Sequence, residues 1–130
     1  MMTDLTWYDT LIRPEWTPPA AVFGIVWPVL YTLMALSLFI LLSGGKRREK
    51  TPAVLLFLIQ LALNLSWSPV FFGAQSIGGA LMIVCALWFF LAATIFSFLR
   101  FSKTAALLLV PYFLWICLAV ALNAAFFWLN

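Results

Sequence analysis

The chain has 130 residues, of which 66% are hydrophobic, 18% aromatic and only 8% charged, with a formal charge of +3 and a mean hydropathy of +1.12. Soluble domains carry about 25% charged residues, so a soluble fold is excluded and the chain reads as an integral membrane protein. Its few basic residues form no stripe outside one loop, which excludes nucleic acid as a partner; in a membrane protein such charges report orientation.

Residues 1–19 form a polar, aromatic segment with Trp7, Tyr8 and Trp16. It carries Asp4, Asp9 and Glu15 and lacks both the basic start and the apolar centre of a secretory signal. Four of the seven prolines fall between Arg13 and Tyr31. Proline is tolerated in the first turn of a helix, where its missing N–H has no partner to lose. Pro18-Pro19 therefore marks a helix start, and Trp16, Pro18 and Pro19 read equally as a stiff aromatic lip over the bundle or as an interfacial anchor alone, at the depth where indole rings meet the headgroups.

Four charge-free apolar runs follow, over 20–43, 52–72, 77–99 and 104–129. Each is long enough to cross about 30 Å of hydrocarbon at 1.5 Å per residue. The predicted fold is all-α, a single polytopic helical membrane bundle with four spanning helices. Short connections make consecutive helices antiparallel neighbours. The connections at 44–51 and 100–103 share one side and hold six of the seven basic residues, whereas the opposite side holds only Arg13. The positive-inside rule places the basic loops in the cytoplasm and both chain ends outside. Cys85 and Cys117 lie within apolar runs and read as small packing residues.

No spanning run contains Asp, Glu, Lys, Arg or His. Ion-coupled transporters place such residues inside the bundle, so a small dimeric exporter of lipophilic compounds is the weaker alternative here. Without histidine the commonest metal and haem ligand is missing too, and neither a metal site nor a catalytic acid–base group is expected. What remains inside the membrane is uncharged polarity beside aromatics. In the first run Trp27 and Tyr31 are four apart. In the second, steps of four and three stack Gln60, Asn64 and Trp67 on one face. In the fourth, steps of four align Pro111, Trp115, Ala119 and Asn123. This pattern fits two arrangements: amide hydrogen bonds of about 0.6 kcal/mol each that join helices, or a pocket whose aromatic walls and few amides orient a flat apolar guest. Pro28, Pro69 and Pro111 interrupt helix hydrogen bonding and can open room for one.

These residues carry a resemblance. Trp7-Tyr8, Pro14-x-Trp16-x-Pro18-Pro19, Val22-Phe23-Gly24-x2-Trp27-x2-Leu30-Tyr31, Gln60-x3-Asn64-x2-Trp67-x3-Phe71-Phe72-Gly73-Ala74 and Pro111-Tyr112-x2-Trp115-x3-Ala119-x2-Leu122-Asn123 resemble, in order, the translocator-protein family of tryptophan-rich sensory proteins. The resemblance implies a receptor or sensor, often a homodimer in a bacterial cell membrane, that binds porphyrin-like tetrapyrroles such as protoporphyrin IX or a haem-like pigment. Some family members are implied to transport the ligand or promote its breakdown in light, and no obligatory cofactor is implied. Trp27, Asn64, Trp67, Trp115, Ala119 and Leu122 match pocket positions of the family. Trp16, Pro18 and Pro19 match its lid, and Tyr31, Gln60 and Asn123 complete the candidate site.

Two departures stand beside the resemblance. The family has five spanning helices, and this sequence starts just before the run corresponding to the second. The expectation is either a groove open to lipid or completed by a partner chain, or a sequence that is truncated or starts at an internal methionine. The tyrosine and arginine of the animal members' sterol-recognition segment are replaced by Ala124 and Trp128, which favours tetrapyrrole over sterol. A reporter active only in the cytoplasm, fused after Asn130, is expected to remain silent in intact cells; strong activity would reverse the assigned orientation.

Overall fold

The computed structural model describes residues 11–12, 14–17, 20–43 and 47–130. Trp7, Tyr8, Arg13, Pro18 and Pro19, and the glycine pair that opens the first basic loop, lie outside the described residues. Among the described residues there is no strand. The chain forms α1 (Ala20–Ser43), a 3-10 turn (Arg47–Lys50), α2 (Thr51–Ser68), a π-helical turn (Pro69–Gly73), α3 (Ile77–Leu99), α4 (Lys103–Leu108) and α5 (Val110–Leu129). Four segments are long and apolar enough to span a membrane: Ala21–Ser43, Thr51–Gly73, Ile77–Leu99 and Lys103–Leu129.

Two spans differ from plain helices, and proline is the reason in each. Pro69 has no N–H to donate and crowds the carbonyl one turn back, so the last turn of the second span widens: Ala74 N–H bonds Pro69 O five residues earlier, at 2.9 Å. The fourth span, in which Pro111 is expected to interrupt the hydrogen bonding, breaks at Leu109. Pro111 sits in the first turn of α5, and Leu109 N–H reaches back only three residues, to Ala106 O at 3.1 Å.

The helix ends are closed locally. Ser76 and Ser102 are N-caps whose hydroxyls accept from Gly79 N–H and Ala105 N–H, each at 3.1 Å, satisfying donors that the helix leaves open. Lys50, 5% exposed, extends its ammonium to Leu41 O in the last turn of α1. A cation there satisfies a free carbonyl and opposes the negative end of the helix dipole.

The four spans pack as an open row. α1 lies on α4 and more lightly on α5, α3 lies on both α4 and α5, and α2 lies on α3. Leu30, Met34, Ser37 and Leu41 recur at steps of four, three and four and form the buried stripe of α1. Ser37 Oγ donates to Ala105 O at 2.6 Å and ties α1 to α4, while Phe57 stacks on Phe98 between α2 and α3, with centroids 6.0 Å apart. Ile25, Phe39, Met82, Phe89, Phe96 and Leu114 point outward and are exposed, which costs nothing when the surroundings are acyl chains as apolar as the side chains. At one end of the row, Asn130 clamps the described N-terminal segment: Ile12 N–H donates to Asn130 Oδ1 and Asn130 Nδ2 donates to Ile12 O, both at 3.1 Å.

Gly79 is a tight spot. A Cβ there would lie 2.8 Å from the Ser76 hydroxyl and 3.3 Å from Val70 Cγ1, whereas at Gly24 it would meet nothing within 4 Å. Gly79→Ala is therefore expected to displace the cap and lower stability in detergent by about 1 kcal/mol. Gly24→Ala should be neutral or slightly stabilising in the same denaturation series.

Candidate functional site: an aromatic cavity between the ends of the helix row

Because the row does not close, α1 and α2 face each other with little direct packing, and α5 forms the back of the space between them. That space is a cavity of about 510 Å3, within the range of small-molecule sites. α1 contributes Phe23, Gly24, Trp27, Pro28 and Tyr31; the second span contributes Asn64, Trp67, Ser68, Phe71 and Phe72. α5 supplies Trp115, Ile116, Leu118, Ala119, Leu122, Asn123 and Phe126, and Val84 and Leu87 of α3 close the remaining side. Among the described residues no acidic or basic side chain is on the wall.

The aromatic rings are arranged around this space rather than scattered. Trp27 and Trp115 meet edge to face, centroids 6.3 Å apart and planes at 88°. Phe23 also meets Trp115 edge-on at 5.4 Å, and Trp27 leans on Tyr31 at 5.7 Å. On the opposite wall Trp67 stacks on Phe71, 4.8 Å apart and 19° from parallel, and Phe72 closes edge-on against both. A flat guest lying on one of the perpendicular indoles receives the edge of the other, a favourable geometry for π systems.

A chain of hydrogen bonds forms the polar floor. Tyr31 OH donates to Asn64 Oδ1 at 2.5 Å, Asn64 Nδ2 donates to Tyr112 OH at 2.7 Å, and Tyr112 OH donates to Gln60 Oε1 at 2.8 Å. Gln60 Nε2 ends the chain on Met34 Sδ at 3.9 Å. A second bridge joins the other end of α2 to α5: Trp67 Nε1 donates to Asn123 Oδ1 at 2.8 Å, and Asn123 Nδ2 donates to Ile77 O at 3.2 Å.

Of the candidate site residues, Trp27, Tyr31, Asn64, Trp67, Trp115, Ala119, Leu122 and Asn123 share this one cavity. Gln60 does not. It is fully buried one turn beyond Asn64, with the Tyr112 hydroxyl between the two amides, and so belongs to the floor's support rather than its surface. Trp16 is 51% exposed and is absent from the cavity wall. Of the described residues before α1, Leu11 packs against the cluster of Phe71, Ala80, Leu122 and Phe126 at that end of the bundle.

Comparison with known sequences assigns the family. A family model described as the TspO/MBR family matches residues 1–129. The chain belongs to the TspO/MBR family. It is similar to the tryptophan-rich protein TspO of Chlorobaculum tepidum, 44% identical over 125 residues that cover 95% of this chain and 79% of that protein. Similar too are a tryptophan-rich sensory protein of Cereibacter sphaeroides, 39% identical over 90% of this chain and 72% of the relative, and the human translocator protein, 37% identical over 92% and 72%.

In this TspO/MBR chain the wall also includes residues that spacing did not single out: Phe23, Pro28, Ser68, Phe71, Phe72, Val84, Leu87, Ile116, Leu118 and Phe126. Ser68 was within reach of sequence reasoning, since it lies four residues after Asn64 on the stripe already marked by Gln60 and Asn64. The α3 residues were not, because Val84 and Leu87 differ in no visible way from their lipid-facing neighbours. A shallower hollow of about 260 Å3 on the far side is lined by Cys85, Trp88, Phe89, Cys117 and Val120, where Trp88 Nε1 donates to Cys117 Sγ at 3.2 Å; both cysteines are free thiols.

Tyr112 is the hub of the floor and stands behind the cavity wall. Tyr112→Phe removes one acceptor and one donor that serve two buried amides. At about 0.6 kcal/mol for each interhelix bond, it is expected to lower unfolding free energy by about 1–2 kcal/mol, read by denaturant titration of the purified protein in detergent.

Proposed function

We propose that this chain is a membrane receptor or sensor for a flat, largely apolar ligand of the porphyrin class, such as protoporphyrin IX or a haem-like tetrapyrrole. The observation that carries the reading is the charge-free cavity of about 510 Å3 with two perpendicular indoles, Trp27 and Trp115, on adjacent walls. A planar macrocycle fills such a space by dispersion and ring contacts, and its polar edge groups are oriented by the few polar groups on the wall. The names of similar proteins, a sensory protein and a translocator protein, accord with a ligand-responsive role. Among the described residues the wall carries no carboxylate–base pair, which favours binding or sensing over acid–base catalysis. Transport of the ligand, or its photochemical breakdown beside the indoles, would be a consequence of the same bound geometry.

The proposed setting is a bacterial cell membrane with the basic connections cytoplasmic, which turns the Leu11–Asn130 end of the cavity outward. A second copy of the chain is the proposed partner: Ala62 is exposed and Ser66 half-buried on the outward side of α2, a small-residue pair of the kind that lets helices approach closely.

Titration of the detergent-solubilised protein with protoporphyrin IX is expected to quench tryptophan fluorescence with saturation. The Trp27→Phe, Trp115→Phe double variant should bind at least about fivefold more weakly, since each aromatic contact is worth about 0.5–1.5 kcal/mol. Unchanged affinity in that variant would reject the stacking arrangement.

A further inference from the structure

Ser68 is the one buried side-chain polar group that has no hydrogen-bond partner among the described residues. It is 2% exposed and forms part of the cavity wall. Other buried or helical hydroxyls find protein acceptors: Thr32, Ser43 and Thr94 donate one turn back to Pro28 O, Phe39 O and Phe90 O, and Ser37 donates across to Ala105 O. An unpaired hydroxyl in a low-dielectric interior is costly. Its stripe neighbours do not offer relief, because the Asn64 and Gln60 oxygens already accept from Tyr31 and Tyr112.

The position of Ser68 indicates what the hydroxyl is suited to meet. It is the last residue of α2 before the π-helical turn, five residues from the end of the span at Gly73. At 1.5 Å per residue it lies about 7 Å inside the bundle, where an anionic or carbonyl oxygen costs less than at the midplane. The rings beside it, Trp67, Phe71 and Phe72, hold only a ligand's apolar surface. With a single side-chain torsion, rotation between staggered wells redirects the O–H without moving the backbone. In a planar macrocycle stacked on an indole the ring N–H groups are central and covered, so the polar groups that reach a wall are the oxygen acceptors at its rim.

We infer that Ser68 Oγ–H donates a hydrogen bond to a peripheral carboxylate or carbonyl oxygen of the bound ligand, and so selects oxygen-bearing planar ligands over alkyl-only ones of the same shape. The inference rests on the cavity being the ligand site. It makes Ser68 a specificity residue that touches the ligand directly.

Three porphyrins separate the possibilities: protoporphyrin IX with two carboxylates, its dimethyl ester with uncharged carbonyls, and etioporphyrin with alkyl groups only. Each is titrated against the full chain and against Ser68→Ala in detergent, with the thermal midpoint of the ligand-free proteins measured in parallel. Loss of one hydrogen bond is expected to weaken protoporphyrin IX by about five- to tenfold in Ser68→Ala, to leave etioporphyrin within about twofold, and to leave the ligand-free midpoint unchanged or raised. An equal loss with the dimethyl ester identifies any rim carbonyl as sufficient, and a loss confined to protoporphyrin IX identifies the carboxylate. Equal effects on all three ligands, or none on protoporphyrin IX, would overturn the assignment while leaving the cavity as the binding site. A lowered ligand-free midpoint would also overturn it, because the hydroxyl would then be paired in the free protein. If the full chain binds none of the three, the porphyrin reading fails first and this assignment with it.

Discussion

The structure depends on the amide of Asn64. Hydrocarbon offers polar groups no hydrogen bonds, so each must find its partner within the protein. Asn64 meets this constraint by accepting from Tyr31 on α1 and donating to Tyr112 on α5. One side chain on α2 therefore ties together three of the helices that bound the cavity. α1 and α2 are the two ends of an open row with little packing of their own, and this node is a polar link directly across the gap. Beneath it the bundle is filled by Gln60, Met34 and Tyr112; above it lies the cavity.

The prolines shape what lies above the node, each in a different way. Pro28 stays inside α1 and is itself part of the wall. Pro69 widens the end of the second span into a π-helical turn, and the rings around that turn, Trp67, Phe71 and Phe72, form one mutually packed cluster. Pro111 breaks the fourth span at Leu109, so that α4 anchors α1 through Ser37 while α5 starts afresh with Tyr112, Trp115 and Ala119 directed toward the cavity side. Pro28 and the turn after Pro69 thus lie at the cavity, whereas the break at Leu109 falls in the packed part of the bundle, and the uninterrupted α3 serves as the backing.

Amide glue and an aromatic pocket, which looked like alternatives on spacing alone, are parts of one design. Asn64 and Asn123 line the cavity, yet each is already engaged in bonds between elements. Their first task is to hold Tyr31, Trp67 and Tyr112 in place; they have little polarity left over for a guest. In the proposed function the indoles would provide contact area, and polar discrimination would fall to groups not already committed, of which the Ser68 hydroxyl is buried and unpaired among the described residues.

Much of this was legible in the chain itself, because a membrane imposes simple rules. Runs of apolar residues free of charge must be spans, since the cost of burying charge in hydrocarbon leaves no other reading, and steps of three and four placed Asn64 beside Trp67 and Trp115 beside Ala119 on single helix faces. The widely spaced motifs were specific enough to indicate the family before any fold was known. Tertiary structure alone decided which faces meet: that the row stays open between α1 and α2, that Tyr112 intervenes so Gln60 supports the floor without reaching the cavity, and that Val84 and Leu87 turn inward. Helical periodicity assigns a residue to a face but carries no information on what stands opposite it. In a chain where lipid-facing and core-facing side chains are equally apolar, that opposition is set by the packing of the helices together.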